Sequence, residues 1–562
     1  MQVRIRIPNR RKSAGSDRAA PEQTAAAVAT AQTERAAARR TGGGSSRVAA
    51  GILVSRISGL IRERVIGHYF GVDSVVADAF RAAIRIPNLL ANLFGEGVLS
   101  ASFVTVYAKL RARQQDEDAD DLAAGVFGIL ALLCSVLVTL GVVSTPYLID
   151  FIAPGFHGYK RDLTIHIVRI LFPGTGLLVM SAWCLGVLNS HRRFLLSYAA
   201  PVALNAAIIA VSIYFGRHVP EDPLVLYVAW GYVAGSVLQF LVQLPSVLRL
   251  LPHFRPALDW HSEHVRTVMQ NFGPIFVSRG VVQISSYIDQ MIASNLPTGA
   301  VAALGYGQVI SILPVSLFSM SISAAELPAL SSAIGNEEEV AATLRSRLTA
   351  GLRRIAFFII PSAVAFLALG DVLVAALYQT GRFQHAGSVY VWSVIAGSAI
   401  GLLATSLGRL YSSGFYALLD TRTPLRFAII RVALTTALGL MFAFWVPRWL
   451  GIEQRWGVAG LTASAGIAGW VEFTLLRHAL GRRIGRTPLP VAFTLKLWSA
   501  AVLAAALGYW LKTVVETAHP VVVAAVVLPA YGIVYFAVAA YAGIPESKNT
   551  LSAVFRGLRL KL

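Results

Sequence analysis

The chain has little charge and almost no cysteine. Of its 562 residues only 14% are charged and two are cysteines, while 56% are hydrophobic and the mean hydropathy is +0.62. So little charge cannot cover a soluble surface of this size. Cys134 and Cys184 both fall in apolar stretches, which implies neither a disulfide framework nor a metal site. Long polar insertions are missing too. The longest polar connections, 109–121, 249–266 and 334–349, are each too short to hold a folded catalytic domain. There is no G-x-x-x-x-G-K-[ST] loop, which argues against ATP-driven transport by this chain, and the histidines lack metal-ligand spacing. With no clustered catalytic carboxylates either, the expectation is a protein that is not an enzyme and needs no cofactor. Residues 1–45 are rich in Ala, Arg and Gly without an apolar core, so they read as a disordered basic tail, not a secretory signal.

What is there is apolar. Runs long enough to span a bilayer recur from Ser46 to Tyr541, about fourteen in all, which predicts an all-α polytopic membrane protein. A β-barrel would show short alternating segments instead. The net charge of +20 is explained by topology. Lys109, Arg111, Arg113, Arg192, Arg193, Arg345, Arg347 and their like follow the even-numbered spans, whereas connections after odd-numbered spans carry few basic residues. By the positive-inside rule both termini are cytoplasmic, and no nucleic-acid partner is implied.

The most informative segment runs from Asp78 to Glu96. Asp78, Arg81, Arg85, Asn88, Asn92 and Glu96 recur every three or four residues, which places them near one face of an otherwise apolar helix. The stripe is roughly 27 Å long, close to the thickness of a hydrocarbon core. Such a face must turn to water, to protein partners or to cargo. Arg56, Arg62, Glu63 and Arg64 in the first span and Arg279 in the seventh add further charge. The arginines outnumber nearby acids, and guanidinium suits bidentate phosphate contacts, so the pattern points to an anionic cargo. Asp289 and Glu326 are candidates for ion coupling or for plain salt bridges. A short echo, Val54-Ser55-Arg56 against Val277-Ser278-Arg279, is consistent with two duplicated six-helix halves.

Several blocks then carry a resemblance: Ser55-Arg56-Ile57-Ser58-Gly59-Leu60-Ile61-Arg62-Glu63, Ala77-Asp78-Ala79-Phe80, Arg85-Ile86-Pro87-Asn88-Leu89-Leu90 and Phe94-Gly95-Glu96-Gly97. With later matches such as Ala153-Pro154-Gly155-Phe156, Ala200-Pro201 with Asn205, and Gly381-Arg382-Phe383, the chain resembles the MurJ (MviN) family over about residues 46–545. The resemblance implies a flippase of the MOP exporter superfamily in the bacterial cytoplasmic membrane, moving lipid II between leaflets by alternating access. It implies two six-helix lobes (46–250 and 251–485) around a central cationic cavity, two further helices (486–545) forming a groove for the lipid tail, and a cytoplasmic tail (546–562). Membrane lipids, coupling ions and cell-wall synthesis proteins are the further partners expected.

The chain also departs from that pattern. Ala91-Asn92 and Gln308-Val309 stand where the family usually carries basic or Asp-Arg-like pairs. Arg81 and Arg279 lie where it is usually uncharged, so they are expected to supply the missing charge from new positions. The expected headgroup contacts are therefore Arg56, Arg62, Asp78, Arg81, Arg85, Asn88, Asn92, Glu96 and Arg279. Other readings are a flippase for a different polyprenyl-pyrophosphate-linked glycan and a non-transporting scaffold of cell-wall assembly.

Overall fold

Among the described residues the chain is a succession of helices joined by short connections. The structure is a computed structural model describing residues 51–548 and 550, apart from 95–98, 256–257, 260–261 and 333–335; the side chains of 92, 100–101, 271 and 273–286 also fall outside the description. The expected tail at 1–45, most of 546–562, Glu96, and the side chains of Asn92 and Arg279 therefore lie outside the described residues.

Helix α1 covers 51–70. Helix α2 starts as Val75–Phe94 and resumes through a π turn, Ser100–Val104, into Thr105–Ala112. Next come α3 (Asp116–Ile152), α4 (Gly158–Ser190), α5 (Phe194–Phe215), α6 (Glu221–Leu248), α7 (Glu263–Ser294) and α8 (Ala300–Ser331). Helix α9 (Glu337–Ala368) is followed by a short helix, Gly370–Tyr378. The rest are α10 (His385–Ala417), α11 (Arg422–Leu450), α12 (Gly457–Ile484), α13 (Val491–Val514) and α14 (Pro520–Tyr541). Among the described residues there is no strand, and eleven helices are long and apolar enough to cross a membrane. The three outside that set are α1, α2 and α7, on which the intramembrane charges Arg56, Arg62, Glu63, Asp78, Arg81, Arg85 and Asp289 lie.

Two stretches expected as polar connections are helical instead. The acidic run after Asp116 forms the first turns of α3, where carboxylates oppose the positive end of the helix dipole. Residues 337–349 belong to α9, started by a capping box in which Asn336 accepts from the Glu339 N–H at 2.8 Å and Glu339 reaches back to the Asn336 N–H.

We call the side at which the chain enters α1 the near end and the opposite side the far end. Four near-end turns share one geometry. After α2, α4, α10 and α14 a residue with φ near +60° (Gln114, Arg192, Leu419, Gly543) closes a Schellman motif. The turns after α4 and α10 match bond for bond: Arg193 N–H to Leu188 O and Arg192 N–H to Asn189 O, against Asp420 N–H to Phe415 O and Leu419 N–H to Tyr416 O.

Packing is densest within two groups. Helices α2, α4, α5 and α6 pack on one another, as do α8 to α12. A close approach in the second group is between Gly401 of α10 and Gly466 of α12, where an added Cβ would fall 2.2 Å from the opposing backbone. Helices α13 and α14 pack against α9 and the short helix. There Pro361 offers no N–H to Phe357 O four residues back, and the Tyr535 hydroxyl takes that carbonyl at 2.6 Å; Tyr531 bonds to Pro361 O at 2.7 Å.

Candidate functional site: a charged seam between the helix groups

The polar stripe of α2 and the charges of α1 meet α8 along a seam between the two groups. Asp78 lies in the first turn of α2 at the far end. It is 1% exposed, and both of its oxygens are engaged. Oδ1 accepts from the Ala302 N–H at 2.7 Å; Oδ2 accepts from the Gly299 N–H at 2.9 Å and from Lys160 Nζ at 2.5 Å. A residue of α2 thus caps the N-terminus of α8, the role usually filled from within the helix. Gly299 makes the approach feasible. Its φ is +98°, and a Cβ there would meet Asp73 Oδ1 at 3.0 Å and Val72 O at 3.1 Å.

Further polar links close the far end. Arg455 meets Asp73 at 2.9 Å, Ser74 bonds to Glu221 at 2.6 Å, and Arg382 pairs with Glu221 while its N–H reaches His68 O at 2.9 Å. The Gly155 N–H donates to Ser294 Oγ at 3.2 Å. Arg64 donates to the carbonyls of Ala376 and Leu377 in the short helix.

Deeper in the bundle, Glu63 sits between two guanidiniums. Arg62 Nη2 lies 2.6 Å from Oε1 and Arg81 Nη2 lies 2.5 Å from Oε2. Glu63 and Arg81 are 5% and 8% exposed. Arg81 also stacks on Tyr306 of α8, its Cζ 3.9 Å from the ring centroid. In this structure the charge of Arg81, expected to serve the cargo headgroup, is paired with Glu63. Arg62 reaches the other way, to Asn205 Oδ1 on α5 at 3.1 Å, and Asn205 in turn donates to Ser58 Oγ at 2.8 Å.

Nearer the chain's starting side, neutral side chains accept from two of the arginines. Arg56 is exposed and donates to Ser316 Oγ at 2.9 Å, within a π turn of α8 (Val315–Met320) that follows Pro314. Arg85 donates to Gln308 Oε1, and its carbonyl accepts from the Tyr287 hydroxyl at 2.9 Å. Asn88 is exposed. Asp289 of α7 lies within electrostatic reach of Arg85 and of Arg431 on α11. Glu326 is distant from the seam's core and faces Arg347 at 3.6 Å and Arg354 at 3.9 Å.

Sequence reading placed Arg56, Arg62, Asp78, Arg81 and Arg85 together, and the structure brings them to one seam. It did not find Lys160, Tyr306 or Asn205 as partners. The one available signal for Lys160 was its presence among connections otherwise poor in basic residues.

A multi-pass helical membrane protein with a guanidinium-lined seam between two helix groups is the class these features define. A family model described as lipid II flippase MurJ matches residues 66–529. The chain belongs to the MurJ family. It is 31% identical over 471 residues to the lipid II flippase MurJ of Burkholderia cenocepacia, covering 82% of this chain and 88% of that protein. It is 32% identical over 454 residues to a probable lipid II flippase MurJ of Rhizobium tropici, covering 78% and 80%. Its fold is similar to a solved lipid II flippase MurJ in an inward closed conformation, with a TM-score of 0.72 at 22% identity over 88% of this chain and 98% of that one. An inward-facing MATE family transporter of the MOP superfamily shares the fold more loosely, with a TM-score of 0.58 at 17% identity over 76% and 95%.

Proposed function

We propose that this chain is a lipid II flippase of the bacterial cytoplasmic membrane, carrying the undecaprenyl-pyrophosphate-linked precursor from inner to outer leaflet by alternating access. The observation that carries the reading, beside family membership, is the pairing of Arg56 with a neutral hydroxyl across the seam. Ser316 cancels none of its charge. A pyrophosphate oxygen is a stronger acceptor than a hydroxyl, so an entering headgroup displaces Ser316 readily. Arg62 and Arg85 stand in the same seam and supply further donors; Arg279, Asn88, Asn92 and Glu96 complete the proposed headgroup path.

In this reading residues 46–250 and 251–485 form two lobes, and the matched Schellman turns after α4 and α10 support their origin by duplication. The near end is cytoplasmic, in keeping with its basic residues. Asp78 and the other far-end links then hold the outer side shut, and loading from the inner side precedes their release. The exposed apolar residues of α13 and α14, among them Leu495, Val502, Leu503, Val522 and Ile533, suit a groove for the polyprenyl tail. Asp289, near Arg85 and Arg431, and Glu326, near Arg347 and Arg354, are the two coupling candidates, and Asp289 is the one that adjoins an arginine of the seam.

The test is rescue of cells depleted of their own lipid II flippase. Wild type should rescue; Arg56→Ala and Arg279→Ala should not, at normal protein levels. Failure of well-expressed wild type would move the assignment to another lipid-linked glycan or to a scaffold.

A further inference from the structure

The matched turns after α4 and α10 act as a comparison built into the molecule. In the second group Asp420 occupies the last position of the turn and pairs with Arg483 at the near end of α12, at 2.7 Å. In the first group the matching position is Arg193. It lines a cavity of about 450 Å³ with Arg192 and with Arg249, at the near end of α6. No carboxylate lines this cavity, and among the described residues none of the three guanidiniums has an ion-pair partner. Three like charges line this cavity, whereas in the other group the matching turn residue is paired with α12.

The rest of the lining is amphipathic. Ser246 offers a hydroxyl, while Phe194, Leu195 and Leu250 are apolar, and Leu195 is 52% exposed where the bundle meets lipid. We propose that the Arg192–Arg193–Arg249 cavity binds the phosphate of an anionic phospholipid of the near-end leaflet, its acyl chains lying along Leu195. The site is separate from the seam and does not depend on the cargo assigned above. Guanidinium forks supply the phosphate contacts, and the apolar side selects a lipid over a free anion.

The experiment is photocrosslinking of a photoactivatable phosphatidylglycerol to the full-length protein in nanodiscs, with peptide mapping. Crosslinks are expected in peptides carrying 192–196 and 246–250. A second basic groove, lined by Arg477, Arg482 and Arg486 of α12 and the residues after it, serves as the internal reference. Arg193→Asp puts the residue of the second group into the first. Aspartate is a favoured helix N-cap, and Arg193 is the N-cap of α5, so the variant is expected to fold. At about fivefold per basic residue near an anionic surface, reversing one charge should lower crosslinking at 192–250 roughly 25-fold while leaving the α12 groove unchanged. Equal crosslinking in wild type and variant would overturn the proposal. So would complete competition by inorganic phosphate at matched phosphate concentration, which would make this a free-anion site.

Discussion

Asp78 caps a helix to which it does not belong: its carboxylate accepts the Ala302 N–H of α8 at 2.7 Å from the first turn of α2. The same carboxylate neutralises Lys160 of α4, so one side chain ties three helices at the far end.

Asp78→Asn should loosen that end. The variant leaves Lys160 without its counter-ion, and breaking a buried pair from one side costs about 3–5 kcal/mol. The native cysteines are both buried, so a cysteine placed at Val72, itself 2% exposed, reports opening. Its labelling by a maleimide in purified protein should rise at least roughly tenfold in the Asp78→Asn background, by the energy of the lost pair. Unchanged labelling would remove the latch role.

Glu63 should be worth more to stability than either arginine beside it. Glu63→Gln strands Arg81 and Arg62 together in a poorly solvated place, with an expected loss of about 3–5 kcal/mol. Adding Arg81→Met should recover much of the thermal stability, since it deletes the stranded charge while keeping apolar bulk over Tyr306. If the double variant melts no higher than Glu63→Gln alone, the pairing is not what holds this region.

The tyrosine contact at the proline break predicts a coupling. Tyr535→Phe leaves Phe357 O without a partner and should cost about 1–3 kcal/mol. Pro361→Ala restores an N–H at the position that bonds this carbonyl in a regular helix. In that background Tyr535→Phe should cost distinctly less. A double-mutant cycle on thermal stability measures the difference, and additive costs would refute the account.

Asp420 gives a pH dependence of known sign. Burial pushes its carboxyl up, but the hydrogen bonds from Thr423 and Arg483 outweigh this and hold it down at about 2, below the ordinary 3.8. A depressed carboxyl contributes stability above its unfolded value and loses that contribution as pH falls through 3.8 towards 2. Wild type should therefore melt above Asp420→Asn at pH 6, and the gap should narrow between pH 4 and pH 2. A constant gap would show that the ion pair is not the source.

The fold class was legible because hydrophobic length is a local property: a run that can span a bilayer announces itself without reference to the rest of the chain. The stripe on α2 was legible for the same reason, being a matter of spacing. Its destination was not. Asp78 finds its partners 82, 221 and 224 residues away, and Arg81 is cancelled by Glu63 on a different helix. Spacing along one helix shows that Asp78, Arg81 and Arg85 point the same way; it does not show that Asp78 binds Lys160 and α8, that Arg81 binds Glu63 or that Arg85 donates to Gln308. Helix starts were missed at Asp116 and Glu337 because clustered acids read as loop, although acids also favour a helix's first turn.

The left-handed turns at the near end fix more than local geometry. Gln114, Arg192 and Leu419 each reverse the chain within a few residues, so α2 with α3, α4 with α5, and α10 with α11 are joined as stiff pairs that cannot slide lengthwise. In the alternating-access cycle proposed above, rearrangement is left to the far-end polar ties. The molecule is thus articulated like a pair of tongs: rigid where the limbs are riveted, and free to part where only replaceable polar contacts hold the tips.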